Sequence, residues 1–230
     1  MGEWIEIQGP AGKFKAYVAR PATAPKAAVV VIQEIFGVNA VMRKKADWIA
    51  SEGYLAISPD LFWHIEPGVD ITDQSEAEWA KAMELMNKFI AANVGVRDVA
   101  ATIAHARTMG VQKVGAMGYC LGGLLAYLSA ARTDSDASVG YYGVNIPAFL
   151  GEAGNIKKPL MLHIAGKDAF VKQDAQDAIK AGLGSNPKVT LHVYPEQDHA
   201  FTREGGQHYD AAAAKQADAR TIAFFKQHLA

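Results

Sequence analysis

The chain has 230 residues, half of them hydrophobic and a fifth charged, and its 23 Lys and Arg against 24 Asp and Glu give a formal net charge of −1. This composition is typical of a globular enzyme and argues against a disordered chain. The balanced charge disfavours nucleic acid and membrane surfaces as partners, because both attract basic patches. The longest apolar run, at 27–32, is far too short to span a bilayer.

A single cysteine, Cys120, cannot form an internal disulfide, which fits a reducing compartment. Residues 1–9 have neither the basic nor the apolar region of a secretory signal, so we predict a cytoplasmic protein. The histidines and acids show no metal-ligand spacing, and neither a GxGxxG fingerprint nor a P-loop is present. We therefore predict no metal and no organic cofactor. The protein is expected to be a monomer or a small homo-oligomer.

Apolar runs of strand length alternate with amphipathic runs of helix length along the chain. We predict strands at 4–9, 13–21, 26–34, 54–60, 113–120, 137–143, 159–168 and 189–199. We predict helices at 40–53, 75–90, 96–110, 121–132, 173–184 and 210–229. The second of these helices begins with Ser75 as its N-cap, and Glu78 follows three residues later. Segment 61–75 has neither pattern and is expected to form a loop or cap over a site.

This order of elements predicts the fold class. The first two strands have period-two patterning and are separated by Pro10-Ala11-Gly12, so they form a hairpin. Continuous β-branched runs indicate strands covered on both faces, and alternation with helices indicates parallel pairing. We predict an α/β protein with a mostly parallel, doubly wound sheet, helices on both faces and an N-terminal antiparallel hairpin. With no linker or repeat, residues 1–230 are expected to form one domain.

The lone cysteine lies in the pattern Gly118-Tyr119-Cys120-Leu121-Gly122, between a predicted strand and a predicted helix. This is the thiol version of the G-x-S-x-G nucleophile elbow. The elbow needs small residues two positions before and after the nucleophile, since strand and helix pass close together there. The helix N-terminus favours both a thiolate and a developing oxyanion. A buried structural cysteine is the alternative, and the strand–turn–helix context favours the nucleophile.

A cysteine nucleophile requires a base, and the base is usually oriented by an acid. Two later strands end in Asp168 and His199, which follow the nucleophile in the chain order of elbow hydrolases. The carboxyl ends of parallel strands share one edge of the sheet, so all three should meet there. His163 and His192 lie within predicted strands, where we expect them to be packed. Asp198 is interpreted as part of a solvated turn.

Glu34 follows the buried strand at 26–34 and therefore also points to that edge. It is either an exposed loop acid or a group that controls the protonation of Cys120. The backbone N–H of Ile35 could join that of Leu121 in an oxyanion hole, because elbow hydrolases take one donor from the loop after this strand.

Five motifs in order are similar to those of the dienelactone hydrolase (carboxymethylenebutenolidase-like) family of α/β-hydrolases. They are VVVIQEIFGVN, YLAISPDLF, VGAMGYCLGG, HIAGKDAFV and YPEQDHAFTR. The resemblance covers essentially the whole chain. It implies an α/β-hydrolase fold and the hydrolysis of small esters or lactones by a Cys120–His199–Asp168 triad through a thioester acyl-enzyme. It also implies that Glu34 holds the resting thiol neutral until substrate displaces it, and that Arg203 binds a substrate carboxylate.

The helix after the cap loop departs from the family pattern, in which it carries an arginine and a tyrosine. Here Trp79 or Lys81 lies near the arginine position and Met83 near the tyrosine position. Trp79 and Lys81 are therefore predicted substrate contacts, together with Phe36 and Tyr119. The departure leaves open a broader carboxylesterase or thioesterase with an apolar pocket. A non-hydrolytic binding or thiol-sensing protein on the same fold is the alternative from another class.

Overall fold

The computed structural model describes residues 2–92 and 94–230. The strands of this part are β1 Glu3–Gly9, β2 Gly12–Ala19, β3 Ala27–Ile32, β4 Leu55–Pro59, β5 Lys113–Tyr119, β6 Ala137–Tyr141, β7 Leu160–Ala165 and β8 Val189–Tyr194. The helices are α1 Ala40–Ser51, α2 Glu76–Ala92, α3 Gly95–Thr108, α4 Leu121–Arg132, α5 Gln173–Leu183 and α6 Ala211–His228. The predicted elements are thus present, with ends that differ by a few residues.

Internal contacts divide the chain into two compact units, residues 1–115 and 116–230. In the first unit the strands lie in the order β1-β2-β4-β3. The predicted hairpin is confirmed, because β1 pairs antiparallel with β2 from Glu3 opposite Val18 to Gly9 opposite Gly12. β2 is antiparallel to β4, whereas β3 and β4 are parallel. Helix α1 packs on β4, β2 and β3.

In the second unit β5 is followed across the sheet by β6, β7 and β8. The β6–β7 and β7–β8 pairs are parallel, in the registers Ser138 opposite Leu160 and Leu160 opposite Val189. β6 and β7 are buried along their whole length, which fits their continuous apolar sequences. The α/β class is confirmed: a mostly parallel sheet with an N-terminal antiparallel hairpin and helices around it.

Most strands end a few residues earlier than predicted, β6 and β8 for reasons visible in the backbone, and one helix was not predicted. β6 ends at Tyr141 because Tyr142 adopts a positive φ of 38°, which extended pairing does not allow. β8 ends at Tyr194 because Pro195 cannot donate to a ladder. A 3₁₀ helix spans Ile146–Asn155 with Pro147 in its first turn.

Segment 61–75 is irregular, as predicted, and the carboxylate of Asp60 holds it in place. Asp60 Oδ1 accepts the Phe62 N–H at 3.1 Å, and Oδ2 accepts the Gly68 N–H at 2.7 Å. Helix α2 begins one residue after Ser75, whose hydroxyl accepts the N–H of Glu78 at 3.2 Å. The predicted N-cap is therefore confirmed. Within the described ranges, no helix combines the length and the apolarity needed to cross a membrane.

Candidate active site

Cys120 lies at the turn between β5 and α4, in a backbone conformation that L-residues rarely adopt. Its φ is 55° and its ψ is −113°, far from both the helical and the extended regions. Two hydrogen bonds tie the turn to the end of β6 and the segment after it: the Cys120 N–H donates to Tyr141 O at 3.0 Å, and the Val144 N–H donates to Cys120 O at 3.3 Å. Strain of this kind is retained where the surroundings determine it, and it is typical of functional turns.

The glycines of the elbow have the steric role expected from the sequence. A Cβ atom on Gly118 would lie 2.1 Å from the carbonyl oxygen of Gly122. The structure adds Gly123, where a Cβ atom would lie 2.6 Å from Tyr141 O and 2.7 Å from the Cα of Gly143. Only glycine allows β5, α4 and β6 to approach each other this closely.

The first residue of α4 is Leu121. The N–H groups of the first helical turn have no acceptor within the helix, and the helix dipole places partial positive charge there. The Leu121 N–H, a predicted donor of an oxyanion hole, belongs to this first turn. Ile35, the second predicted donor, is a buried residue of the first unit that follows β3.

Asp168 and His199 meet as predicted. His199 Nδ1 lies 2.8 Å from Asp168 Oδ2, and both side chains are buried. The other carboxylate oxygen of Asp168 accepts the N–H groups of Phe170 at 2.8 Å and Val171 at 3.0 Å. The backbone holds the Asp168 carboxylate in place as an acceptor, with Nδ1 of His199 as the donor, which leaves Nε2 for another partner.

That partner is Cys120, whose side chain is hydrogen-bonded to His199. Burial alone would lower the pKa of His199, but the charge of Cys120 and the hydrogen bonds of His199 with Asp168 and Cys120 outweigh it and raise the pKa to about 10. The partners of His199 thus favour its protonated form. The structure brings together all three residues of the predicted triad.

The edges of two aromatic rings pack against the His199 imidazole. Tyr142 lies at a centroid distance of 5.0 Å and Phe170 at 4.9 Å, both in T-shaped geometry. The Tyr142 hydroxyl is 3.0 Å from Thr202 Oγ1. Sequence reasoning did not single out these rings, because their contact with His199 depends on the tertiary fold.

The interpretation of Asp198 as a solvated turn residue was incomplete. Its Oδ1 accepts the N–H of His199 at 2.6 Å and the N–H of Ala169 at 3.1 Å. Asp198 therefore ties the loop that carries His199 to the loop that carries Asp168. An Asp next to the predicted base was the only signal in the sequence.

Of the two strand histidines, His163 is packed as expected, whereas His192 is half-buried. His163 is fully buried, with Nδ1 2.9 Å from the Tyr194 hydroxyl and Nε2 3.0 Å from Thr221 Oγ1. Burial lowers the pKa of His163 well below its usual value, so it is neutral. His192 stacks on His163 at 5.8 Å.

The predicted substrate contacts of the first unit have local partners. The rings of Phe36 and Trp79 are 5.9 Å apart. Lys81 Nζ lies 2.5 Å from a carboxylate oxygen of Glu66 in the loop before α2. Glu34, predicted to gate the thiol, is 3% exposed, so it is not an exposed loop acid.

The two predicted substrate contacts of the second unit are Tyr119 and Arg203. The Tyr119 ring is buried and stacks on Tyr141 at 4.6 Å. The Arg203 N–H donates to Ala200 O at 2.9 Å, and its side chain packs beside Gly206. In the described part of the chain, no cluster of His, Cys, Asp or Glu is arranged to hold a metal ion.

A strand, a strained turn with a thiol and a following helix form the nucleophile elbow of an α/β-hydrolase. A solved structure from Klebsiella pneumoniae, assigned to the dienelactone hydrolases, matches over 99% of both chains with a TM-score of 0.87 and 29% identity. The predicted α/β-hydrolase fold is thus confirmed.

The chain belongs to the dienelactone hydrolase family, whose model matches residues 14–229. A carboxymethylenebutenolidase of Pseudomonas putida is 40% identical over 225 residues, which cover 96% of this chain and 95% of that protein. A relative from Azospirillum brasilense is 50% identical over 224 residues, 96% of each chain. The family makes this chain a carboxylic ester hydrolase, as predicted.

Proposed function

We propose that this enzyme hydrolyses small esters or lactones through a thioester acyl-enzyme, with Cys120 as nucleophile, His199 as general base and acid, and Asp168 as the group that orients His199. The observation that carries the proposal is the placement of His199 between the Asp168 carboxylate and a thiol held in a strained elbow. Such a constellation is recognised by its geometry and roles.

The proposed reaction has two steps. The Cys120 thiolate attacks the substrate carbonyl, and the resulting oxyanion accepts hydrogen bonds from the Leu121 and Ile35 N–H groups. Protonated His199 gives its proton to the leaving alkoxide, which in a lactone stays attached as an alcohol of the acyl group. Neutral His199 then takes a proton from water, the hydroxide attacks the thioester, and the carboxylic acid leaves as the thiolate returns.

The proposed substrate is a lactone that carries a carboxylate, since the relative from Pseudomonas putida is named for such a compound. Arg203 is the proposed partner of this carboxylate, because a guanidinium can hold it bidentately. By family resemblance, Glu34 keeps the resting thiol protonated, and substrate displaces it so that it takes the thiol proton. A thiolate formed only with substrate present is protected from oxidation.

One observation favours a broader carboxylesterase as the second candidate. The charge of Lys81, which lies near the family's arginine position, is balanced by Glu66, and Trp79 next to it packs on Phe36. Such surroundings suit neutral apolar esters better than substrates with a second anionic group. Trp79, Phe36 and Phe62 would then define the pocket wall.

The experiment compares a p-nitrophenyl ester with a dienelactone, using wild type, Cys120→Ala and Arg203→Ala. Turnover of both substrates and a mass increase for an acylated Cys120 are expected. A dienelactone rate far below the ester rate would favour the second candidate. Absence of ester turnover by wild type would reject the proposed hydrolysis and favour the non-hydrolytic binding or thiol-sensing protein. Unchanged selectivity for anionic over neutral esters in Arg203→Ala would reject the role of Arg203.

We further propose that the enzyme acts in the cytoplasm as a monomer or small homo-oligomer, with a small-molecule substrate and without nucleic acid, membrane, metal or cofactor. The near-zero net charge and the lone cysteine support this proposal. Size-exclusion chromatography with light scattering measures the oligomeric state, and an assay in EDTA tests the independence of metal.

A further inference from the structure

A groove of about 460 Å³ lies between the edge strand β8 and the C-terminal half of α6. β8 pairs with β7 on one side and has no strand on its other side in the part of the chain that the structure describes. Thr190 and His192 are two residues apart on β8 and therefore lie on the same face of the sheet. Their β7 partners, Met161 and His163, lie on that face as well. Helix α6 covers His163, whose Nε2 contacts Thr221, and leaves a concave space next to β8.

The charges around this groove are of one sign. Its lining includes Lys188, His192, Arg220 and His228, and it includes no Asp or Glu among the described residues. Arg220 and His228 lie on one stripe of α6, eight residues apart. Lys188 and Arg220 supply the positive charges, and the imidazoles of His192 and His228 add polar nitrogen atoms.

Arg220 and Lys188 form no salt bridge with a carboxylate anywhere in residues 2–92 and 94–230. Arg220 is half-buried and lies over the Tyr194 ring at 5.3 Å, so its position is set by packing. Asp218, the acid nearest to it in sequence, accepts the Tyr141 hydroxyl at 3.0 Å. The side chain of Arg220 is also hydrogen-bonded to Tyr194, and its guanidinium lines the groove, where its charge attracts an anion.

Apolar walls complete the groove. Phe224 and Met161 line it, and the Phe224 ring packs against the His228 imidazole at 4.6 Å. The His228 imidazole is held by the Phe224 ring, and the Arg220 guanidinium is held on the Tyr194 ring. Both are therefore oriented donors, which lose little conformational freedom on binding.

We propose that this groove binds a small dianion, of the phosphate or dicarboxylate class, through Arg220, Lys188 and the imidazole N–H of His192. Arg220 supplies the bidentate donors, Lys188 a mobile charge, and the edge of β8 the floor. The site lies outside the proposed triad, and its existence does not depend on the proposed reaction.

Isothermal titration calorimetry tests the proposal with inorganic phosphate and with succinate, at an ionic strength kept constant with NaCl. Saturable binding of at least one dianion by wild type is expected, and the two arms distinguish phosphate from dicarboxylate. Arg220→Gln and Lys188→Gln should each raise Kd about tenfold or more, as expected for a lost charge-assisted hydrogen bond. The control Lys215→Gln, on α6 but outside the groove lining, should bind as wild type does.

The imidazole of His192 gives a second readout by NMR. In the free protein, burial and the charge of Arg220 lower the pKa of His192. A bound dianion should raise it, with Lys188, Arg220, His163, Tyr194 and His228 as the other titratable groups around it. Lys188 is exposed, so Lys188→Gln decides the question if Arg220→Gln does not fold. Absence of saturable heat with both dianions, or equal Kd values in Lys188→Gln and Lys215→Gln, would overturn the proposal.

Discussion

A Cβ atom on Gly118 would lie 2.1 Å from the carbonyl oxygen of Gly122, well inside the contact distance of carbon and oxygen. The end of β5 and the first turn of α4 therefore touch through backbone atoms alone. This contact presents Cys120 at the tip of the turn, with the Leu121 N–H beside it. Any side chain at position 118 must displace either the strand or the helix.

We expect Gly118→Ala to lower the free energy of unfolding by about 3 kcal/mol, since overpacking against backbone atoms finds no flexible neighbour. Esterase activity should be lost as well. Gly151→Ala is the matched control: nothing lies within 4 Å of its Cβ position, so its stability should change by no more than about 0.5 kcal/mol. Urea denaturation measures the free energy of unfolding of both variants. A Gly118→Ala protein as stable as the control would contradict the close-contact account.

Replacement of Cys120 by alanine should reduce ester hydrolysis by a factor of about 10³ or more, because no other group forms the acyl-enzyme. The single thiol makes the assay clean: iodoacetamide should add one label to wild type and none to Cys120→Ala. Far-UV circular dichroism should be the same for both proteins. Hydrolysis by the variant at the wild-type rate would exclude a cysteine mechanism.

The pKa of His199, raised to about 10 by Cys120 and Asp168, should be visible in the NMR titration of its imidazole. The pKa in the folded protein lies above the value of about 6.5 for a free histidine. The bound proton therefore stabilises the fold fully below about pH 6.5, and this stabilisation is lost as the pH rises through about 10.

Asp168→Asn removes a negative charge and favours the wrong tautomer of His199. We expect a lower pKa for His199 and a fall in kcat by a factor of about 10⁴. Cys120→Ala should lower the same pKa while it leaves the Asp168 hydrogen bond intact. If the pKa of His199 were the same in wild type and in both variants, the proposed charge network would be wrong.

Asp198 is expected to act as a positioning residue, since it accepts N–H groups from both His199 and Ala169. Asp198→Ala should lower kcat by a factor of about 10 to 100, because a displaced His199 no longer aligns with Cys120. KM should change little. Asp198→Asn keeps an oxygen acceptor and should recover most of kcat, which a general loss of charge would not explain. Equal kcat values for Asp198→Ala and wild type would show that the two loops need no such link.

The sequence by itself determined the order of strands and helices, the glycine-flanked turn at Cys120 and the members of the proposed triad. Hydrophobic patterns of period two and period 3.6 indicate which faces of strands and helices are buried. The glycines around Cys120 indicate a turn in which there is no space for side chains. Asp168 and His199 could be predicted because the carboxyl ends of parallel strands share one edge of the sheet. These are properties of short segments and of chain order.

The tertiary structure alone decided what surrounds these residues. Contacts such as Asp198 with Ala169, Tyr142 with His199, and Lys81 with Glu66 join positions whose distance depends on loop paths. The early end of β6 at Tyr141 likewise follows from a backbone turn stabilised by long-range contacts, and not from local propensity. Side-chain geometry of this kind depends on packing among distant segments, whereas hydrophobic periodicity only indicates which face is buried.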